Sequence, residues 1–152
     1  MNTFLYYFTF AYLAVAALGQ RIAIGAPVEW STVQPGQNIT VEVDRPMTLS
    51  SSQEVAIVIG FWSCNGHPCA DMDVTEVMGQ VVYSGPYNPK LQQGQEAEKP
   101  PYQNFTVTVP IQLPDGEASL NVAHFSLIGF QCTKAGLEPF LEVANITLNV
   151  QS

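Results

Sequence analysis

The segment Asn38-Ile39-Thr40-Val41-Glu42-Val43-Asp44 alternates apolar and polar side chains without a break, and that period of two constrains the fold more than any other feature. Successive side chains of an extended strand point to opposite faces, so Ile39, Val41 and Val43 share one side while Asn38, Thr40, Glu42 and Asp44 share the other. The pattern returns at Phe105, Val107 and Val109 in NFTVTVP and at Ile146, Leu148 and Val150 in NITLNV. Between them lie a nearly continuous apolar run, EVAIVIGFW from Glu54, and the β-rich segments QVVYSG, ASLNVAHFSLIGF and FLEV, bounded by Gly, Pro or Asn. Eleven prolines and eleven glycines punctuate the chain, and no window carries a helical period. The expected class is all-β: about seven or eight strands in an antiparallel immunoglobulin-like or fibronectin-like sandwich, with EVAIVIGF as a central strand.

The first residues, MNTFLYYFTFAYLAVAALGQ, carry no charge and end in small side chains. They read as a secretory signal over residues 1–19, with Ala17 and Gly19 at the minus-three and minus-one positions and Gln20 as the new N-terminus. The apolar run from Phe4 to Leu18 spans 15 residues, short of the roughly 20 that cross a membrane. The C-terminal ANITLNVQS has no hydrophobic tail, so no lipid anchor is expected. Residues 20–152 are then one extracellular β-sandwich domain, of a size that buries roughly two-thirds of its unfolded surface. With 13 acidic against 5 basic side chains and a net charge of −8, the chain is poorly suited to nucleic acid or anionic membranes.

Secretion bears on the cysteines. Cys64 and Cys69 flank Asn65-Gly66-His67-Pro68, which is turn chemistry, and outside the cell two such thiols are expected as a disulfide. Closing so short a loop contributes roughly 2 kcal/mol. Cys132, at the end of another strand, offers a rival pairing with Cys64 or Cys69 across the sandwich; the turn favours Cys64 with Cys69, and the sequence leaves the choice open. A zinc site is not expected from three cysteines and two separated histidines, His67 and His124. His67 reads as a turn residue and His124 as an ordinary strand histidine. Asp71, Asp73 and Glu76 lack the spacing of a calcium loop and read as a solvated turn. No cofactor is expected.

Three strands carry Asn-x-Thr, at Asn38, Asn104 and Asn145, each with an apolar middle residue, so Asn and Thr fall together on the wet face where a glycan fits. Catalytic signatures are missing: there is no G-x-S-x-G, no H-E-x-x-H, and no histidine beside a free nucleophile, so an enzyme is not expected. The segment from Ser84 to Gln103, rich in Pro, Gln, Glu and Gly, reads as a long interaction loop. Tyr87 and Tyr102 are its expected exposed anchors, beside Lys90, Lys99, Glu96 and Glu98. Trp62, closing an apolar strand, is expected in the core, and Trp30 near a strand start.

The segments IGAPVEWSTVQPGQNITVEVDRP, EVAIVIG, YSGPYNP, KPPYQNFTVTVP, VAHFSLIG and PFLEVANITLNV resemble the fungal necrosis-inducing secreted protein family, effector-like small secreted proteins of plant-associated and wood-inhabiting fungi. The resemblance covers nearly the whole mature chain and contains no catalytic motif. It implies an extracellular protein that binds a host protein, with plant immune receptor kinases as the partner class, and that modulates plant immunity or elicits cell death. A carbohydrate or cell-wall binding module is the alternative, with Trp30, Trp62, Tyr83, Tyr87 and Tyr102 as stacking platforms for a polysaccharide. Peptide mapping of the secreted protein is expected to find glycan on at least two of Asn38, Asn104 and Asn145; three unmodified asparagines would refute that reading.

Overall fold

The computed structural model describes residues 21–47, 51–64, 66–73, 76–92, 99–129 and 136–152. The expected signal, Cys132, Glu96 and Glu98 lie outside the described residues. Eight strands follow in chain order: β1 (Ala23–Ala26), β2 (Thr32–Val33), β3 (Asn38–Asp44), β4 (Ser51–Ser63), β5 (Gln80–Pro86), β6 (Tyr102–Thr108), β7 (Gly116–Gly129) and β8 (Glu138–Val150). The one helical element among the described residues is a 3-10 turn at Cys69–Asp71.

The strands form two sheets, a small one in the order β1-β3-β6 and a large one in the order β2-β8-β7-β4-β5. Neighbours are antiparallel except β2, which runs parallel to β8 through Thr32 and Val33. The all-β, two-sheet expectation holds, and β4, which contains EVAIVIGF, is an interior strand. FLEV and NITLNV, read separately from sequence, merge into β8, because its pairing with β7 runs without a bulge from Gly116 opposite Val150 to Ile128 opposite Glu138.

Strand parity builds the core. Val41, Val43, Phe105 and Val107 of the small sheet face Ile57, Ile59, Phe61, Leu120, Val122 and Leu148 of the large one, all buried. Trp62 corrects the expectation of a core residue: Ile57, Ile59 and Phe61 point inward, so the next residue points out and is 38% exposed. Trp30 is 53% exposed with φ 67°, held at the β8 edge by its N–H to the Thr147 carbonyl at 2.7 Å.

Two glycines at positive φ separate backbone strain from steric overlap. A side chain at Gly79 (φ 70°) would overlap the Phe61 carbonyl, whereas one at Gly66 (φ 79°) would meet open space. Gly66→Ala is expected to lower the unfolding free energy by about 1–2 kcal/mol, the left-handed penalty alone. Gly79→Ala is expected to cost at least about 2 kcal/mol more, because β4 backbone must move. Urea unfolding of the two variants checks the difference.

Candidate functional site

The Cys64 to Cys69 segment is a staple. The two sulfurs are bonded, both residues are buried, and the turn closes through His67 N–H to the Cys64 carbonyl at 2.9 Å. It is locked to β7, since Cys64 N–H donates to the Glu117 carbonyl at 3.0 Å and Cys69 N–H to the Glu117 carboxylate at 3.0 Å. The chain then crosses the outer face of the large sheet. There Asn121 donates to the Val77 carbonyl at 3.0 Å and accepts from Ser119 Oγ at 2.6 Å. A Cβ on Gly60 would strike the Met78 carbonyl, so only glycine admits this close approach.

The structure corrects the picture of the Ser84 to Gln103 segment as a loop bearing exposed tyrosines. Tyr87 is 2% exposed and Tyr102 9%. Tyr87 enters the core, its hydroxyl donating to the Val43 carbonyl at 3.0 Å and its ring meeting the His124 ring edge-on at 5.1 Å. Burial, then the negative charge of Glu54, holds its hydroxyl well above the usual tyrosine range. Tyr102 lies under Lys99, whose ammonium sits 4.2 Å from the ring centre and 2.8 Å from Glu42. A hydrogen bond to Glu42 raises the Lys99 pKa, and burial followed by the neighbouring Glu42 raises that of Asp44. Lys90 closes a two-bond bridge with Tyr102, at 3.1 and 3.2 Å. Lys90, Tyr102, Asn88, Gln92, Gln103 and Asn104 line an open cleft of about 330 Å³. Of the four residues expected to meet a partner, Lys90 and Tyr102 line this cleft, Lys99 lies over the Tyr102 ring, and Tyr87 is buried in the core.

The strongest chemical constellation is one that sequence reading passed over. His124 on β7 is fully buried between two carboxylates: Nδ1 lies 2.9 Å from Glu142 on β8, its cross-strand partner, and Nε2 2.5 Å from Glu54 on β4. The Glu54 contact is an ion pair without hydrogen-bond alignment, and neither atom has another hydrogen-bond partner. Glu54 also accepts from Arg45 Nε at 3.0 Å and Ser52 Oγ at 2.6 Å, and Glu142 accepts from Ile22 N–H at 3.2 Å. Burial is the largest influence on Glu54 and raises its pKa, but the close contact with His124 and the hydrogen bonds from Ser52 and Arg45 outweigh it and bring the value down to about 2. For His124, burial again comes first and disfavours the charge; the two carboxylates together overcome it and raise the pKa above the ordinary 6.5. Two cations, Arg45 and His124, thus balance two anions, Glu54 and Glu142. Parity was the available signal, because His124 shares a face with Leu120 and Val122.

On the outer side of the large sheet, the half not crossed by residues 76–79 is apolar and is left uncovered among the described residues. Phe125 stands between Ala56 and Leu141 in register, and Leu127 opposite Pro139. Leu141 is 68% exposed, Val55 37% and Phe125 36%. The sequon asparagines Asn38, Asn104 and Asn145 are all exposed. Asn38 and Asn104 share the outer face of the small sheet, and Asn145 lies on β8 two residues beyond Val143.

The Nis1 family model matches residues 17–149, most of the chain. The chain belongs to the Nis1 family. This agrees with the resemblance read from sequence as far as a necrosis-inducing, effector-type family. A search of curated proteins found no match. Among solved structures, a superoxide reductase (neelaredoxin) from Ignicoccus hospitalis is similar at 15% identity and a TM-score of 0.48, over 87% of this chain and 81% of that one. No helix among the described residues is long and apolar enough to cross a membrane.

In this Nis1 family chain the buried network sets the response to pH. The Glu54 pKa is depressed, so its contribution is present above its ordinary 4.5 and is lost as pH falls toward about 2. The His124 pKa is raised, so its contribution is complete below its ordinary 6.5 and is lost as pH rises through the folded value. Urea unfolding of the wild type is expected to show the network's full contribution between pH 4.5 and 6.5, with a decline on both sides. His124→Ala is expected to lose about 3–5 kcal/mol within that window, by leaving buried carboxylates unpaired. A flat pH profile with a loss below about 1 kcal/mol would contradict the network.

Proposed function

We propose that this chain is a secreted, effector-like glycoprotein that acts by binding a partner protein through the bare half of the large sheet's outer face. The observation that carries the reading is the chemistry of that face. In a chain of net charge −8, the outward residues Ala123, Phe125 and Leu127 of β7 and Pro139, Leu141 and Val143 of β8 include no charge. Exposed apolar patches of this kind mark interaction sites. The sequons support it further: glycans on Asn38 and Asn104 would cover the small sheet, and one on Asn145 would border the patch without covering Phe125. Secretion rests on the uncharged apolar leader at residues 1–19, the disulfide and the family. The family also carries the proposed setting, a fungal protein that modulates plant immune signalling or elicits cell death through a host protein, with receptor kinases as the partner class.

The sheet orders β1-β3-β6 and β2-β8-β7-β4-β5 correspond to A-B-E and A′-G-F-C-C′ of an immunoglobulin-like sandwich, which supports that topology for residues 20–152.

One observation favours a polysaccharide-binding reading as the second choice. Trp62 pairs with Ser119, Ser119 with Thr147, and Trp30 N–H donates to the Thr147 carbonyl, so the two exposed tryptophans stand at opposite ends of one row across the sheet. Exposed aromatic rings are sugar-stacking surfaces.

The two readings separate by mutation. Phe125→Asp is expected to abolish capture of the partner from plant extract at an unchanged thermal midpoint, while Trp30→Ala with Trp62→Ala leaves capture intact. Retention of the wild type on chitin, glucan or cellulose, lost in the tryptophan double variant, would favour the polysaccharide instead.

A further inference from the structure

The three sequons differ in what lies beside the asparagine. Two residues before it stand Gly36, Tyr102 and Val143, so Asn104 follows an aromatic residue at that spacing and the other two do not. Side chains two apart on a strand share a face, which puts Tyr102 and Asn104 on the same side of β6.

Asn104 also belongs to the wall of the cleft at the edge of the small sheet, with Asn88, Lys90, Gln92, Tyr102 and Gln103. The cleft opens where a strand pairing stops. Tyr102 exchanges both backbone bonds with Lys90, at 3.1 and 3.2 Å, and an antiparallel continuation would set Asn104 against Asn88. Asn88 N–H instead donates to the Gln103 side-chain carbonyl at 2.7 Å.

This lining suits a sugar. Its amides and the Lys90 ammonium can hydrogen-bond hydroxyl and acetamide groups, and an aromatic ring offers a surface for the apolar side of a pyranose. Tyr102 is 9% exposed and lies under the Lys99 ammonium, 4.2 Å from the ring centre. It is therefore already ordered, and a sugar packing on it immobilises no further side chain there. Glu42, the cross-strand partner of Asn104, adds a carboxylate acceptor beside the attachment point. Attachment selects the occupant: the first sugar of a glycan on Asn104 starts at the cleft wall and has a high effective concentration there, which no free saccharide has.

We propose, building on the reading of this chain as a secreted glycoprotein, that the first N-acetylglucosamine on Asn104 seats in this cleft, against Tyr102 and beside Lys90 and Gln92. That sugar is a structural part of the fold and ties β6 to residues 88–92, whereas glycans on Asn38 and Asn145 stand in solvent.

The test uses protein secreted from a eukaryotic host, with the occupancy of each sequon read by mass spectrometry. Thr106→Ala, Thr40→Ala and Asn145→Gln each remove one sequon at an exposed residue. Loss of the Asn104 glycan through Thr106→Ala is expected to lower the thermal midpoint by about 3 °C or more, and loss of either other glycan by less than about 1 °C. The same variants made without glycan in a bacterial periplasm give the cost of each substitution itself, which is subtracted. Lys90→Ala combined with Gln92→Ala, both exposed side chains, is expected to abolish the Asn104 contribution while the site stays occupied. Enzymatic trimming to a single N-acetylglucosamine is expected to preserve it, because the first sugar makes the contact. An unmodified Asn104 would overturn the proposal together with the glycoprotein reading at that site. An occupied Asn104 whose glycan contributes no more than the other two, whose contribution survives the Lys90 and Gln92 substitutions, or whose contribution vanishes on trimming would overturn the seat alone.

Discussion

The fold closes at one end on an ion network. His124 is buried between the two sheets, and two carboxylates from neighbouring strands meet its two ring nitrogens and favour its charged form. Glu54 extends the network to Arg45, which follows β3, and Glu142 extends it to the backbone N–H of Ile22, which precedes β1. The network therefore joins the small sheet to the large one, a task the disulfide does not perform, since Cys64 and Cys69 are only five residues apart and close a local turn. Removing two charges from water is expensive, and such a cluster is tolerated only when it is neutral and nearly every polar atom has a partner. Tyr87 completes it from the β5 end, packing on the imidazole and bonding to the backbone of β3.

Anchored in this way, the two sheets present different surfaces. The small sheet turns Asn38, Thr40, Glu42 and Asp44 outward, with Asn104 opposite Glu42. Lys99 neutralises part of that acidity by pairing with Glu42. On the large sheet, the stretch from Glu76 to Gly79 packs over Asn121, which Ser119 joins by a hydrogen bond, and among the described residues the apolar half around Phe125 and Leu141 stays uncovered. The staple thus fixes which half of the sheet is available, because it pins the covering segment to Glu117.

Local alternation made most of the fold legible. In β3 the period of two placed Val41 and Val43 on the buried face, in β6 it did so for Phe105 and Val107, and the turn chemistry around Gly66 favoured the disulfide that forms. Readings failed where a neighbouring element decides the environment. Trp62 ends an apolar run, but parity sends it outward; Tyr87 follows Pro86 in a loop-like stretch, but the chain turns into the core there. Tyr102 falls on the polar face of β6 by parity, yet it is buried, with Lys99 over its ring and Lys90 paired to its backbone. Glu142 and Ile22 are 120 residues apart, and their contact exists only once β1 and β8 have been placed by the topology.

The central claim is that His124 is an imidazolium in the folded protein, with both ring nitrogens engaged by carboxylates. The most direct test is the nitrogen-15 spectrum of its ring in the intact protein, followed through a pH titration. The account predicts two protonated ring nitrogens at pH 6.5, the ordinary midpoint of histidine, with deprotonation only above it. A neutral ring with a single protonated nitrogen at that pH, or a midpoint below it, would contradict the account.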